Sequence, residues 1–241
     1  MTFLVEYSKL IFSAISAVEV PLVAYYITSL NNRKPYKVKK MICSTLFVLA
    51  AVVAALSIDI FLVYGLCVII GLVLSWLGDL FLAFSLKGMP FVLGLGSFLL
   101  GHVAYVVAFS FGVSAITGSI APAWYEFLIV AAVIGTCFIV KKKCNIILKE
   151  MAMPVLFYAV TISVMLARAF HLGISYCGLD APNGVMFCLM MIFGATMFVV
   201  SDSVLVFIIF KNMSNNKTET ANLVTYYLAQ MIFATSLFFI G

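Results

Sequence analysis

The fold of this chain is indicated by the stretch GATMFVVSDS, residues 194–203, because it carries an aspartate, Asp202, inside a long apolar run. An ionised carboxylate at the centre of a membrane costs about 3 kcal/mol or more, so such residues are rare and usually functional. SWLGDLFL, residues 75–82, has the same character and contains Asp79. We predict that the two aspartates face one cavity within a membrane bundle and do chemistry there.

The composition supports a membrane protein throughout. Of the 241 residues, 65% are hydrophobic and only 10% are charged, and the mean hydropathy is +1.22. Soluble domains have about 25% charged residues. Little of the chain lies outside the apolar runs, so we predict a single integral membrane helical domain over residues 1–241. The net charge of +5 does not indicate nucleic-acid binding, since the basic residues lie in short loops.

Apolar runs of about 20 residues are candidate transmembrane helices. The sequence predicts an all-α polytopic bundle with about eight of them. A tight turn at Ser57 and Asp59 would separate the second from the third. The predicted spans are 8–30, 41–58, 60–84, 91–111, 122–140, 151–171, 184–210 and 222–240.

Basic residues are strongly biased to one side of this topology. Twelve of the 14 lysines and arginines fall in the loops after spans one, three, five and seven, and Lys9 and Arg168 are the exceptions. The positive-inside rule places those loops in the cytoplasm. Both termini are therefore predicted to be extracytoplasmic, and we expect a multi-pass protein of the cell membrane.

Polar residues from five spans share the cytoplasmic half of this topology. With a rise of about 1.5 Å per helical residue, Asp79 lies about 8 Å and Asp202 about 12 Å from the cytoplasmic ends of their helices. His102 and Tyr105 share one helix face, as do Tyr227 and Gln230, because i and i+3 positions are neighbours. A common depth is what an intramembrane site requires.

The remaining polar and sulfur-containing residues favour simpler interpretations. The six cysteines form no CxxC pair and are interpreted as small hydrophobes. Two histidines are too few for a His-rich metal site, and we predict neither a metal nor an organic cofactor. Glu126 is interpreted as a snorkelling acid near the outer interface. Glu19 is a further intramembrane acid that is left outside the predicted site.

Several short motifs follow one another in an order typical of one family. The chain resembles the YhhN family of multi-pass membrane proteins, whose characterised members are lysoplasmalogenases. The motifs are Lys34-Pro35, Ser-x-x-Gly-Asp-x-x-Leu at 75–82, FVLGLGSFLLGHVAY at 91–105, MPVLFY at 153–158, Gly-Ala-x-x-Phe-x-x-Ser-Asp-Ser at 194–203 and Tyr-Tyr-x-Ala-Gln at 226–230.

The resemblance implies hydrolysis of the vinyl ether bond of a lysoplasmalogen to a fatty aldehyde and glycerophosphoethanolamine or glycerophosphocholine. Such chemistry needs a proton donor and a negative group, so Asp79 and Asp202 are the predicted catalytic pair, as in glycosidases. The expected partners are a lysophospholipid substrate and membrane lipids, with no nucleic acid and no obligatory protein partner. The residues predicted to bind substrate or orient water are Lys34, His102, Tyr105, Tyr158, Ser201, Tyr227 and Gln230.

Other functions remain compatible with the sequence. A proton- or cation-coupled transporter of small solutes or lipids could use the intramembrane aspartates as a relay. The Asp-bearing segments of spans three and seven are locally alike, as in a parallel duplication. A passive scaffold is disfavoured, because it has no need of polar residues in five spans.

Overall fold

The chain is organised as a bundle of long helices. The computed structural model describes residues 2–56, 62–179 and 183–239, and within these ranges there is no β-strand. This confirms the predicted all-α class. The helices are α1 (Thr2–Asn31), α2 (Lys37–Ala55), α3 (Leu62–Phe84), α4 (Gly88–Thr117), α5 (Trp124–Lys143), α6 (Ala152–Cys177), α7 (Gly184–Phe210) and α8 (Asn216–Ser236), and a 3-10 turn at Lys149–Met151 precedes α6.

Local sequence fixes several of the helix ends. The side chain of Asn215 accepts hydrogen bonds from the backbone N–H groups of Lys217 and Thr218, and this caps the start of α8. Helix α4 ends at Gly118, whose φ of 74° lies in the left-handed region where glycine is favoured. The predicted turn at Ser57 and Asp59 lies outside the described residues.

In the described part of the chain, α1 to α7 are the seven helices that are long and apolar enough to cross a membrane. The protein is therefore a multi-pass membrane protein. Helix α8 is more polar, since it contains Lys217, Glu219 and Gln230. It runs antiparallel to α7, where Asn222 Nδ2 donates to the Ser201 carbonyl over 2.8 Å. The eighth span and the extracytoplasmic termini stay predictions.

The helices follow one another around a common core. Helices α1 to α4 pack side by side in chain order, α6 follows α4, and α7 follows α6. Helix α8 closes the bundle against α7, α1, α2 and α3. Among the described helices, α5 packs against α6 alone. The polar residues of α2, α3, α4, α6, α7 and α8 can therefore meet inside the bundle, whereas α5 lies at its edge.

Glycines bring α3 and α4 into close contact. A Cβ atom on Gly94 would lie 2.8 Å from Leu82 Cδ2, and one on Gly101 would lie 3.2 Å from the Gly71 carbonyl oxygen. Small residues at such positions let helix backbones approach in a membrane. Gly94 and Gly101 are therefore close-packing positions between α3 and α4.

Replacing Gly78 with alanine should destabilise the bundle by about 1–3 kcal/mol, since overpacking forces neighbouring side chains to move. The new Cβ would lie 2.6 Å from Cε2 of the buried Phe98 ring. Gly135→Ala is a matched control, because no atom outside its own helix lies within 4 Å of the Cβ position. Unfolding of both variants in mixed micelles measures the difference. An equal effect at both positions would contradict the packing argument.

A polar cluster around Glu126 ties α5 to α6, and it corrects the interpretation of that residue. Glu126 is only 4% exposed. Its carboxylate lies 3.3 Å from Arg168 Nε and 2.7 Å from His171 Nδ1, and it accepts from the Ala123 backbone N–H. The snorkelling interpretation is wrong, because these donors satisfy the acid inside the protein. The cluster anchors the otherwise peripheral α5.

Candidate functional site

Asp79 lies at the centre of a buried cluster built by α2, α3 and α8. The residue is 3% exposed. Lys40 Nζ lies 3.0 Å from Oδ1, and Oδ2 accepts hydrogen bonds from Ser44 over 2.6 Å and Tyr226 over 2.7 Å. A cation and two hydroxyl donors around one carboxylate form the arrangement expected of a buried ionised acid.

Helix α2 supplies two of these donors through its periodicity. Lys40 and Ser44 are separated by one helical turn and so lie on the same face. Lys40 is 9% exposed although it lies in the first turn of α2. The long lysine side chain can reach inward from the helix end. The pair brings both charge and a hydroxyl to Asp79.

Tyr227 belongs to the same cluster without touching the carboxylate in the described contacts. Its hydroxyl lies 3.2 Å from Ser44 Oγ and donates weakly to the Lys40 carbonyl at 3.4 Å. Its ring also packs edge-on against the Tyr226 ring at 5.1 Å. Tyr227 therefore holds α8 against α2, one residue from the tyrosine that binds Asp79.

Asp202 lies at the centre of a second cluster, built by α4, α6 and α7. Its Oδ2 accepts from the Tyr158 hydroxyl over 2.6 Å and lies 3.0 Å from His102 Nε2. His102 Nε2 also lies 3.0 Å from the Tyr158 oxygen. The Asp202 side chain is 14% exposed, whereas the His102 side chain is 1% exposed. This carboxylate is thus the more accessible of the two.

An aromatic layer connects the two clusters. The Phe198 ring packs edge-on against His102 at 4.7 Å and against Tyr226 at 5.8 Å. Phe198 therefore touches the histidine of one cluster and a tyrosine of the other. Each aspartate therefore has a cluster of its own, and the two clusters are adjacent through Phe198. That both aspartates face one cavity stays a prediction.

Tyr105 and Gln230 form a third buried contact beside this layer. The Tyr105 hydroxyl donates to Gln230 Oε1 over 2.8 Å, and both residues are fully buried. The Tyr105 ring lies 6.1 Å from Phe198. The pair joins α4 to α8 between the two carboxylate clusters.

Two other predicted residues lie away from the carboxylates. Ser201 Oγ donates to the Asn222 carbonyl over 3.2 Å, so its described contacts tie α7 to α8. Lys34 is exposed in the loop after α1, and its backbone N–H donates to the Ser29 carbonyl. Lys40 is one of the basic residues in the loop predicted after span one, and it was not among the predicted site residues, nor were Ser44 and Tyr226. The i, i+4 spacing of Lys40 and Ser44 was the available signal.

The polar groups do not resemble a metal centre. In residues 2–56, 62–179 and 183–239, no group of three His, Cys, Asp or Glu side chains is placed to hold an ion. The donors around both aspartates are instead hydroxyl, imidazole and ammonium groups. The arrangement is suited to proton exchange and to binding a polar group inside the bundle.

The fold and these clusters define a multi-pass helical membrane protein with two carboxylate centres inside its bundle, one buried and one half-buried. The sequence profile of the YhhN family matches residues 36–237. Because this match covers most of the chain, the protein belongs to the YhhN family. The matched range contains both aspartates and all of their described partners, whereas α1 and Lys34 precede it. Neither a curated protein nor a solved structure matched the chain.

Proposed function

We propose that this protein is an intramembrane hydrolase that cleaves the vinyl ether bond of lysoplasmalogens. The products are a fatty aldehyde and glycerophosphoethanolamine or glycerophosphocholine. The observation that carries the proposal is the pair of carboxylates with different partners, Asp79 beside a lysine and Asp202 beside a histidine and a tyrosine. Membership of the YhhN family supports it.

The reaction needs acid–base groups of this kind. A proton is added to the β-carbon of the vinyl ether, which leaves an oxocarbenium ion at the carbon bonded to oxygen. Water adds to that carbon, and the hemiacetal then separates into aldehyde and alcohol. Positioned acids and bases typically accelerate such proton transfers by about 10²–10⁴-fold. Two carboxylates in unlike surroundings can divide the roles of acid and stabilising anion.

The surroundings of the two aspartates favour different roles. Asp79 faces Lys40 and two hydroxyl donors, so most of its hydrogen-bonding capacity is already used. Asp202 is more exposed and has His102 as a proton-exchanging partner. We therefore assign proton transfer to the Asp202 cluster. Asp79 then stays ion-paired with Lys40 and holds the Tyr226 hydroxyl in place through a hydrogen bond.

A lysolipid suits the depth of this site. Its phosphate would lie at the end of the bundle where α2 begins, near Lys40 and the exposed Lys34. Its vinyl ether lies a few bonds below the phosphate, and its chain continues into the apolar interior. Tyr105 and Gln230 would bind the glycerol or ether oxygen. The cell membrane, which holds such lipids, is the proposed location.

The proposal is tested by incubating the purified protein in detergent with a lysoplasmenylethanolamine. We expect equal amounts of fatty aldehyde and glycerophosphoethanolamine. A 1-O-alkyl lysolipid with the same chain and head group is the control, because its saturated ether has no double bond to protonate and should release no aldehyde. Fatty acid from a 1-acyl lysolipid without aldehyde from the vinyl ether would contradict the proposal and indicate an esterase.

A further inference from the structure

The hydrogen bonds around His102 determine which ring nitrogen carries a proton. The single proton of the Tyr158 hydroxyl is donated to Asp202 Oδ2. Both the Tyr158 oxygen and Asp202 Oδ2 therefore face His102 Nε2 as acceptors, each at 3.0 Å. Nε2 must be the donor. In a neutral imidazole the other nitrogen then holds the free lone pair.

The other nitrogen, Nδ1, is buried and unused. Within the described ranges it has no hydrogen-bond partner, and the residue is 1% exposed. A buried polar atom without a partner is unfavourable unless a ligand or water contacts it during function. Nδ1 is thus available for a polar hydrogen from outside the protein.

The His102 ring cannot easily flip so that Nδ1 and Nε2 exchange positions. Tyr158 packs against it edge-on at 5.2 Å, and Phe198 packs against it at 4.7 Å. These contacts and the Asp202 bond hold one orientation, as a carboxylate does for the histidine of an acid–base pair. The same carboxylate would stabilise the positive charge when Nδ1 takes a proton.

We infer that His102 is the acid–base residue of this site and that Nδ1 is the atom that gives and takes the proton. This inference rests on the proposed function and names the proton carrier within it. Asp202 and Tyr158 are then positioning residues. The assignment differs from the sequence prediction, in which His102 binds substrate or orients water.

The proton balance closes over one turnover. The reaction starts from the imidazolium form of His102, in which Nδ1 has taken a proton from water. This Nδ1–H proton moves to the β-carbon of the vinyl ether, and the π electrons form the new C–H bond and leave an oxocarbenium ion. Water adds to the cationic carbon and returns a proton to Nδ1. The hemiacetal C–O bond then breaks, and the hemiacetal hydroxyl proton ends on the glycerol oxygen. The ring finishes as it began.

A spectroscopic test needs no substrate, because the sequence contains only two histidines. Full-length protein labelled with ¹⁵N-histidine gives ring signals from His102 and His171, and the His171→Gln variant assigns them. In the neutral ring of His102 we expect the proton on Nε2 and a lone pair on Nδ1. In the Asp202→Asn variant this preference should be lost. A proton on Nδ1 in the neutral ring, or no change in the variant, would overturn the inference.

A kinetic test separates proton transfer from a structural role. Glutamine at position 102 can still place a donor toward Asp202, but it cannot carry a proton. We therefore expect His102→Gln to unfold like wild type and to release aldehyde about 10³–10⁴-fold more slowly, at least as large a loss as any change to the residues that position the ring. His171→Gln should keep activity, since His171 lies about 20 Å further along α6 than Tyr158.

Rescue of activity by glutamine would show a purely structural histidine and would overturn the inference. The spectroscopic test does not depend on the proposed substrate, so a failure of the inference and a failure of the proposed function can be told apart. If wild-type protein releases no aldehyde, the proposed substrate is wrong, while the ring signals still decide whether Nδ1 is the free nitrogen.

Discussion

Replacing Asp202 with asparagine is expected to lower kcat/KM for aldehyde release by about 10³–10⁴-fold, as loss of the orienting carboxylate does in acid–base pairs. The carboxylate accepts from both Tyr158 and His102 at one oxygen. Asparagine has one acceptor oxygen and one NH₂ group. If its side-chain amide is turned so that the NH₂ group takes the place of Oδ2, that group faces the donors Tyr158 and His102. Asparagine also removes the negative charge that would stabilise a protonated ring. The loss should appear with little change in unfolding, because the two side chains have nearly the same shape.

The neighbouring serine provides the control for this variant. Ser203 is exposed, and its hydroxyl donates to the Val199 carbonyl of its own helix. Ser203→Ala should therefore leave aldehyde release unchanged. Near-normal turnover by a well-folded Asp202→Asn protein would mean that the carboxylate has no part in the reaction.

Much of this architecture follows from hydropathy alone. An apolar run must bury its backbone polar groups in helical hydrogen bonds within a membrane, so seven helices could be located from the sequence. Asp79 and Asp202 stand out for the same reason, since charge in such runs is costly. Helix α8 was also predicted, but Gln230 and its other polar residues make it more polar than the seven apolar helices.

The partners of the aspartates were harder to predict, because they come from distant parts of the chain. Lys34 and Lys40 belong to one basic segment, and only the helical phase of α2 directs Lys40 inward toward Asp79. The predicted depths put His102 and Asp202 in the same half of the bundle, but depth alone does not show that the two residues are neighbours. Lateral packing of α4, α6 and α7 decides that contact. Ser201 is adjacent to Asp202 in sequence, yet it faces α8 through Asn222.

Glu126 illustrates the same limit at the other end of the bundle. A sequence places an acid near an interface, where water can solvate it. Whether it is solvated or buried depends on residues 42 and 45 positions further along, Arg168 and His171. Such pairings are specified by the tertiary arrangement and leave no local pattern.

Replacing Lys40 with methionine is expected to lower the free energy of unfolding by about 3–5 kcal/mol, which is the cost of leaving a buried charge unpaired. Asp79 is 3% exposed, and Lys40 is its one cationic partner in the described contacts. Methionine keeps most of the volume of the lysine stem, so packing changes little. SDS-induced unfolding in mixed micelles measures the loss, and Lys142→Met, at an exposed position, should stay within about 0.5 kcal/mol of wild type.

The double variant Lys40→Met with Asp79→Asn tests whether charge is the cause. Asparagine removes the unpaired charge, and its side-chain oxygen can still accept from Ser44 and Tyr226 in place of the carboxylate. The double variant should therefore be more stable than Lys40→Met alone, because groups in contact are energetically coupled. Equal losses in the single and double variants would assign the effect to packing around the lysine stem. Recovery of stability without recovery of aldehyde release would show that the ion pair serves both the fold and the site.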